Sequence, residues 1–179
     1  MTSRPLRFLL LAMSGLALLA FAGCGSEEPE LEVNEGEPLE LGELEFDVQI
    51  TRLLNPDSTD DATYLEGAPP LKAGQQYLAV FMQVDNMGDA PNVVPFPFKI
   101  IDTRGEIFLQ AEIDNPFSLI PGTIVEPDQS LPGLGTVARS GSIEGSLILF
   151  PIPEASTENR PLQLEVPGPG EPGLIELDL

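Results

Sequence analysis

The 179-residue chain contains one cysteine, Cys24, and neither histidine nor tryptophan. Those counts remove most covalent and metal chemistry before any fold is considered. A Ser-His-Asp or Cys-His arrangement needs an imidazole to take up a proton, and none is present. Zinc and copper sites draw on His, Cys and Met ligands. Beyond Cys24 only Met82 and Met87 remain, and Met82 sits inside an apolar run that reads as core. Lys72 and Lys99 have no neighbour in the sequence that would activate them as nucleophiles. No glycine-rich phosphate loop follows a strand pattern. Carboxylate pairs of the kind that hydrolyse glycosides can be drawn almost anywhere among 29 Asp and Glu, so their presence discriminates nothing. The expectation is a chain with no catalytic residues, no cofactor and no resident metal: not an enzyme.

One spacing has the look of a calcium loop. Asn55, Asp57, Thr59, Asp61, Thr63 and Glu66 fall at positions 1, 3, 5, 7, 9 and 12 of a calcium-loop pattern. However, Asp60 stands where that loop needs glycine, Pro56 stiffens its second position, and neither flank reads as helix. A solvated acidic loop is the expectation, with a calcium-dependent binding protein as a minor alternative.

Cys24 is different because of what precedes it. Arg4 and Arg7 make a positive start without an acid, and Phe8 to Ala22 is an uncharged apolar run. Such a run is shorter than the roughly 20 residues of a membrane-spanning helix but suits the centre of an export signal. Small residues, Ala22 and Gly23, then lead to the cysteine. The segment Phe21-Ala22-Gly23-Cys24 resembles the lipobox of bacterial lipoproteins, with Phe21 where Leu is commoner. The resemblance implies a diacylglyceryl group on the Cys24 sulfur, cleavage before Cys24, and acylation of the new amino group. It also implies a cell-membrane location facing the extracytoplasmic side.

The rest of the chain must then be cargo. The precursor has a formal charge of −21, and both arginines of the signal precede Cys24. Six basic residues therefore face 29 acidic ones in the remainder. Nucleic acid and anionic headgroups would be repelled, so the membrane is expected as a partner only through the anchor. Residues 24–43 are rich in glutamate, contain Pro29 and Pro38 and lack any Lys or Arg. They read as a disordered acidic tether that buries nothing.

From Leu44 the apolar period becomes two: Leu44, Phe46, Val48 and Ile50 alternate with Glu45, Asp47, Gln49 and Thr51. Gln76 to Asn86 is apolar on both faces. Leu78, Val80, Met82 and Val84 make one side; Tyr77, Ala79 and Phe81 make the other, which places this strand inside a sheet. Residues 98–101 and 106–110 read as a hairpin about Asp102-Thr103-Arg104-Gly105. Ile143 to Phe150 is a second strongly apolar strand, expected to stop at Pro151 and Pro153. Residues 162–166 and 175–179 alternate again. These spans predict an all-β, antiparallel β-sandwich of about seven strands over residues 44–179, behind the signal peptide at 1–23. The strands 76–86 and 143–150 are expected to centre its two sheets, with Val80, Val84, Leu147 and Leu149 facing one core.

Gly74-x-x-Tyr77, Val84-Asp85-Asn86-x-Gly88-Asp89, Asp102-x-x-Gly105 and Gly145-x-Leu147-x-x-Phe150-x-x-Pro153 precede the short strand 162–166. In that order they resemble the immunoglobulin-like domain of unknown function found in Gram-positive lipoproteins. That family is grouped with secreted mycobacterial immunoprotective antigens. The connection at 111–140 departs from it. The resemblance implies an immunoglobulin-like sandwich and supplies no catalytic residues. The functional expectation is a lipid-anchored binding or interaction module for an unknown protein or small molecule. The alternative is a structural or accessory subunit of a cell-envelope complex.

Lipidation has a direct test. Two or more acyl chains make a lasting anchor at about 0.8 kcal/mol per buried CH₂. Cys24→Ser should leave the protein in the soluble fraction or stall it as precursor, read by fractionation and the mass of the N-terminus. A processed mutant that still partitions with membranes would refute the anchor.

Overall fold

The computed structural model describes residues 31–179; Cys24 and the segment expected as an export signal lie outside the described residues. All seven segments expected as strands are strands: β3 (Leu44–Leu54), β4 (Gln75–Asn86), β6 (Lys99–Ile101), β7 (Ile107–Leu109), β10 (Ser146–Pro153), β11 (Leu162–Val166) and β12 (Gly173–Leu177). Five shorter ones join them: β1 (Glu32–Asn34), β2 (Leu39–Leu41), β5 (Asn92–Val93), β8 (Ile124–Val125) and β9 (Ser130–Leu131). A four-residue helix, α1 (Val137–Ser140), interrupts the long connection before β10. The result is a β-sandwich.

One sheet runs β1-β12-β11-β6-β7, and the other runs β10-β4-β3-β2, with β9 also paired to β4. A separate ribbon joins β5 to β8. The pairings are antiparallel except β1 with β12. Between the sheets lie Phe46, Leu78, Val80, Met82, Val84, Ile148 and Phe150, with Phe98, Leu164 and Ile175 from the opposite layer. Phe46 meets Phe98 edge-on at 6.4 Å, a favoured aromatic geometry that ties the two layers together.

β4 carries apolar residues on both faces, and both faces are buried. Tyr77, Ala79 and Phe81 point away from the sandwich into a second cluster with Leu54, Tyr64, Leu147 and Leu149. The loop between β3 and β4 and residues 111–117 roof this cluster. Tyr64 sits edge-on to Phe81 at 5.1 Å and to Phe117 at 4.7 Å.

Three expectations change. First, part of the acidic segment is not a tether. Val33, Leu39 and Leu41 are buried in the main core, while Glu37 and Glu40 face water and Glu35 is half-buried. A side chain on Gly173 would come within 2.6 Å of Leu39, so β2 packs directly on the opposite sheet. Glu35 accepts hydrogen bonds from the Thr51 and Asp178 backbone N–H groups, which fastens the segment at both layers. The folded domain therefore starts before residue 44. Period-two burial survives in runs too short for the charge density to hide it energetically.

Second, β4 and β10 do not centre separate sheets. They are neighbours, with Leu147 opposite Phe81 and Ile148 opposite Val80. Val80 and Val84 face the main core, whereas Leu147 and Leu149 face the second cluster. Third, β10 continues through Pro151 to Pro153. Leu147 bonds outward through both backbone groups, to Phe117 and Leu119, so alternation turns positions 149, 151 and 153 outward as well. The prolines thus lack N–H groups that the ladder to β4 never needed. β10 meets β4 closely at its start: a side chain on Gly145, at φ 132°, would lie 2.9 Å from the Met82 nitrogen.

Removing residues 32–41 should collapse the melting transition rather than leave it unchanged. Leu39→Ala should cost roughly 2–5 kcal/mol, and Glu40→Ala should stay within about 0.5 kcal/mol, in urea melts. Equal tolerance of both substitutions would show that β2 is not part of the core.

Candidate functional site

The open flank of the sandwich, where edge strands β7 and β10 meet, holds an apolar cleft of about 610 Å³. That size falls within the range of sites that enclose small ligands or side chains. Its floor is the outer edge of β10 at Leu147, Ile148 and Leu149. One wall is the chain leaving β7, from Leu109 to Asp114; the other is Leu119 to Pro121, with Phe96 and Pro97 closing the end.

The local folding explains the opening. After β7 the chain crosses from one sheet to the other, where the Ala111 N–H donates to the Leu149 carbonyl at 2.7 Å. It loops out and returns beside β10, where the Leu147 N–H donates to Phe117 and the Leu119 N–H donates to Leu147. Ser118 forms a parallel bridge with Leu147 at this point. The next bond of such a ladder would join the Leu149 N–H to the Leu119 carbonyl, and the one after it would need an N–H from residue 121, which is proline. The ladder ends, Ile120 and Pro121 turn away, and the cleft lies between the two crossings. Gln110 is spent on structure: its side-chain oxygen accepts from the Phe98 N–H at 2.7 Å.

Phe96, Leu109 and Ile120 are 59, 57 and 42 % exposed, which is unusual for large apolar residues around a concavity. The charges at the rim are Glu112 and Asp114, both exposed. Among the described residues neither takes part in an ion pair.

The sequence-derived candidates fall elsewhere. Cys24 lies outside the described residues. In the loop tested for calcium, Asp61 is buried and already engaged: one oxygen meets Arg52 at 2.5 Å and the other accepts from the Asn55 N–H at 2.9 Å. Asn55 in turn accepts from the Asp57 N–H. Asp61 thereby fastens the roof of the second cluster to β3 and does not join a ring of oxygen ligands. Among the described residues no group of three or more acidic, His or Cys side chains is placed to hold a metal ion. Met82 is core and Met87 is exposed. Lys99 is paired with Glu165 across the β6–β11 ladder.

The motif residues are fasteners. The Asn86 amide donates to the carbonyls of Ala90 and Val125 and accepts from Gly88 N–H and from Asn92. Buried Asp102 accepts from the N–H groups of Arg104 and Glu106, closing the hairpin. The Tyr77 hydroxyl donates to the Pro69 carbonyl, and Gly74 supplies the positive φ before β4. No sequence signal pointed to the cleft, because its walls come from the irregular stretch around residues 109–121.

No protein-family model matches the chain, and no curated protein sequence matches it. Similarity appears among solved structures. The yjhA protein from Bacillus subtilis superposes with a TM-score of 0.53 at 12 % identity, covering 81 % of this chain and 99 % of its own. A "putative lipoprotein (ycdA)" from Bacillus subtilis subsp. subtilis str. 168 gives 0.50 at 14 % identity over 81 % of this chain and 39 % of its own. An uncharacterized β-sandwich protein from Clostridium difficile 630 gives 0.48 at 13 % identity, over 85 and 97 % of the two chains. At these identities the likeness is one of fold.

The electrostatics of the opposite surface yield a test. Across β2, β3 and β4, Glu40, Glu45 and Asp85 stand directly opposite one another, with Asp47 two residues along β3. Burial, then the facing charges of Asp85, Glu40 and Asp47, raise the Glu45 pKa above the usual glutamate range. The folded state thus holds this proton to higher pH than the unfolded chain does. Stability from it is present at low pH and is lost as pH rises through the folded pKa. Glu45→Gln should therefore raise the melting temperature at pH 7 by a degree or so and flatten the decline just above the ordinary glutamate pKa. A lowered melting temperature at pH 7 would overturn the assignment.

Proposed function

We propose that the protein is a lipid-anchored extracytoplasmic lipoprotein, related to the immunoglobulin-like lipoprotein domains that its motifs resemble, whose sandwich binds a partner through the cleft at the β7–β10 flank. The observation that carries the binding role is the cleft itself: a concavity of about 610 Å³ with apolar walls, left open on the surface of a strongly acidic protein. Such a protein has ample polar residues to cover its flank, so exposing Phe96, Leu109 and Ile120 there is a cost that binding would offset.

The anchor rests on the Ala22-Gly23-Cys24 segment and its apolar run, and the likeness in fold to a protein described as a lipoprotein agrees with it. Among the described residues no helix is long and apolar enough to cross a membrane. The chain enters the domain at β1, and the cleft lies at β7, on the opposite edge of the same five-stranded sheet. Four strand spacings separate them, roughly 19 Å. A domain held at its β1 side thus presents the cleft away from the point of attachment, where a partner reaches it.

The reading is one of binding and not of catalysis. The cleft lining contains no Ser, Thr, Cys or Lys, and its two carboxylates, Glu112 and Asp114, are exposed and lack the burial that sets a general acid apart. An uncharged apolar dye checks the cleft without knowledge of the partner. Nile red fluorescence should rise on addition of the protein and fall at least fivefold with Leu109→Asp and Ile120→Asp together. The double variant should melt within a few degrees of the parent, since both side chains are largely exposed. Unchanged dye binding would remove the cleft as the binding site.

A further inference from the structure

Four strands end the two main sheets, and three of those edges are closed. β1 and β2 carry exposed glutamates, Glu32 and Glu40, whose repulsion keeps another strand away. The outer edge of β10 is bonded to residues 111, 117 and 119 and then runs into Pro151 and Pro153. β7 is different. Glu106 accepts from the Asp102 N–H and the Gln110 N–H donates to Phe98, so the even positions along β7 turn toward β6. By alternation Ile107 and Leu109 turn both backbone groups outward, and among the described residues neither has a backbone partner there. Both are 57 % exposed, and the strand itself carries no charge. Ala111, the next outward position, is already bonded to Leu149, which limits the free edge to these two residues.

Such an edge fits a copy of itself. With a two-fold axis at Phe108, antiparallel pairing sets Ile107 of one copy opposite Leu109 of the other, and the reverse. Both residues then exchange N–H and carbonyl, making four hydrogen bonds; a shift of register in either direction forfeits two of them. On the exposed face Ile107 packs against Leu109 of the second copy, an apolar pair that stabilises such a ladder. The flanking charges agree with this register. Glu106 faces Gln110 of the second copy and not another acid. Arg104, exposed and in no ion pair among the described residues, lies four positions before Phe108. Glu112, likewise exposed and unpaired, lies four positions after it. The two-fold therefore brings Arg104 of each copy to the Glu112 end of the other.

From the open edge, its register and this charge match we propose that two copies of the protein associate through β7, joining their five-stranded sheets into one continuous sheet across the axis. An unrelated strand would meet only the bonding groups of Ile107 and Leu109. A second copy also supplies an opposite charge at each end, which fixes both partner and register. Two strongly acidic chains repel one another, but that repulsion is screened beyond about 8 Å at physiological ionic strength. The axis itself lies among Ile107, Phe108 and Leu109, where there is no charge to oppose the approach. The contact does not depend on what the cleft holds.

The test uses the full chain with Cys24→Ser in mild detergent, so that neither a lipid nor the native thiol joins molecules. Sedimentation should show a dimer at high micromolar concentration. Ile107→Lys, at an exposed position, should shift it to monomer and leave the melting temperature as in the parent. Glu106→Cys together with Gln110→Cys should form a disulfide-linked dimer on mild oxidation, since those positions face each other across the axis. Glu106→Cys alone places the two thiols roughly 14 Å apart and should yield at least fivefold less. A monomer at every concentration reached would overturn the proposal. So would a dimer that survives Ile107→Lys, or equal cross-linking by the single variant, because either would place the contact elsewhere.

Discussion

The structure depends on one strand being insoluble on both faces. β4 cannot be left at a surface: Leu78, Val80, Met82 and Val84 require one apolar layer, and Tyr77, Ala79 and Phe81 require another. A single opposing sheet satisfies only the first. The second must be covered from outside, and the chain does so with irregular loops instead of a third sheet. Loops cover a sheet face only where their own polar groups can be paired. The buried Asp61 carboxylate, held by Arg52 and the Asn55 N–H, and the Asn115 amide, which donates to the carbonyls of Tyr64 and Glu66, supply that pairing. The acidic loop that looks from sequence like a cation site is in this sense a lid fastened by its own carboxylate.

Charge is arranged around this core and does not build it. With −21 formal charge the chain repels itself, yet the glutamates of the first strands fall on alternate positions and face water while Val33, Leu39 and Leu41 go inward. Burial of those three side chains, each worth on the order of 1.5–3 kcal/mol, outweighs the screened repulsion among exposed carboxylates. The same balance is less favourable at Glu45, whose pKa is raised first by burial and then by the carboxylates on both neighbouring strands. Acidity marks the surface of this fold; burial decides where the chain lies.

Periodicity made the strands legible in the sequence, and it did so best where they are long. The two faces of β4 were readable residue by residue, as was the hairpin closed by Asp102 and Gly105. Pairing was not readable. Nothing in Ile148 or Leu149 announces which faces the sandwich, because both positions are apolar and both are buried. Only the register with β4 separates them. The three-residue strands β1 and β2 were hidden for a different reason: charge density and proline outvoted an alternation only one or two periods long. The prolines of β10 misled in the same manner, since a missing N–H ends a strand only when it falls on the paired side.

The cleft was out of reach of sequence reasoning for a reason that bears on function. It is produced by a ladder that ends after Leu119, short of the crossing at Ala111. No single residue encodes that; it follows from where two stretches of chain arrive along β10. A sandwich with complete edges would present the same core and the same acidic surface and would have nothing to bind with. Here the demand of β4 for a second apolar cover brings residues 109–121 onto the β10 edge, and the gap between their two crossings leaves an apolar cleft with Phe96, Leu109 and Ile120 exposed at its walls. The cleft is thus a by-product of how the outer core is closed. Its form is set by backbone geometry, with Glu112 and Asp114 exposed at its rim.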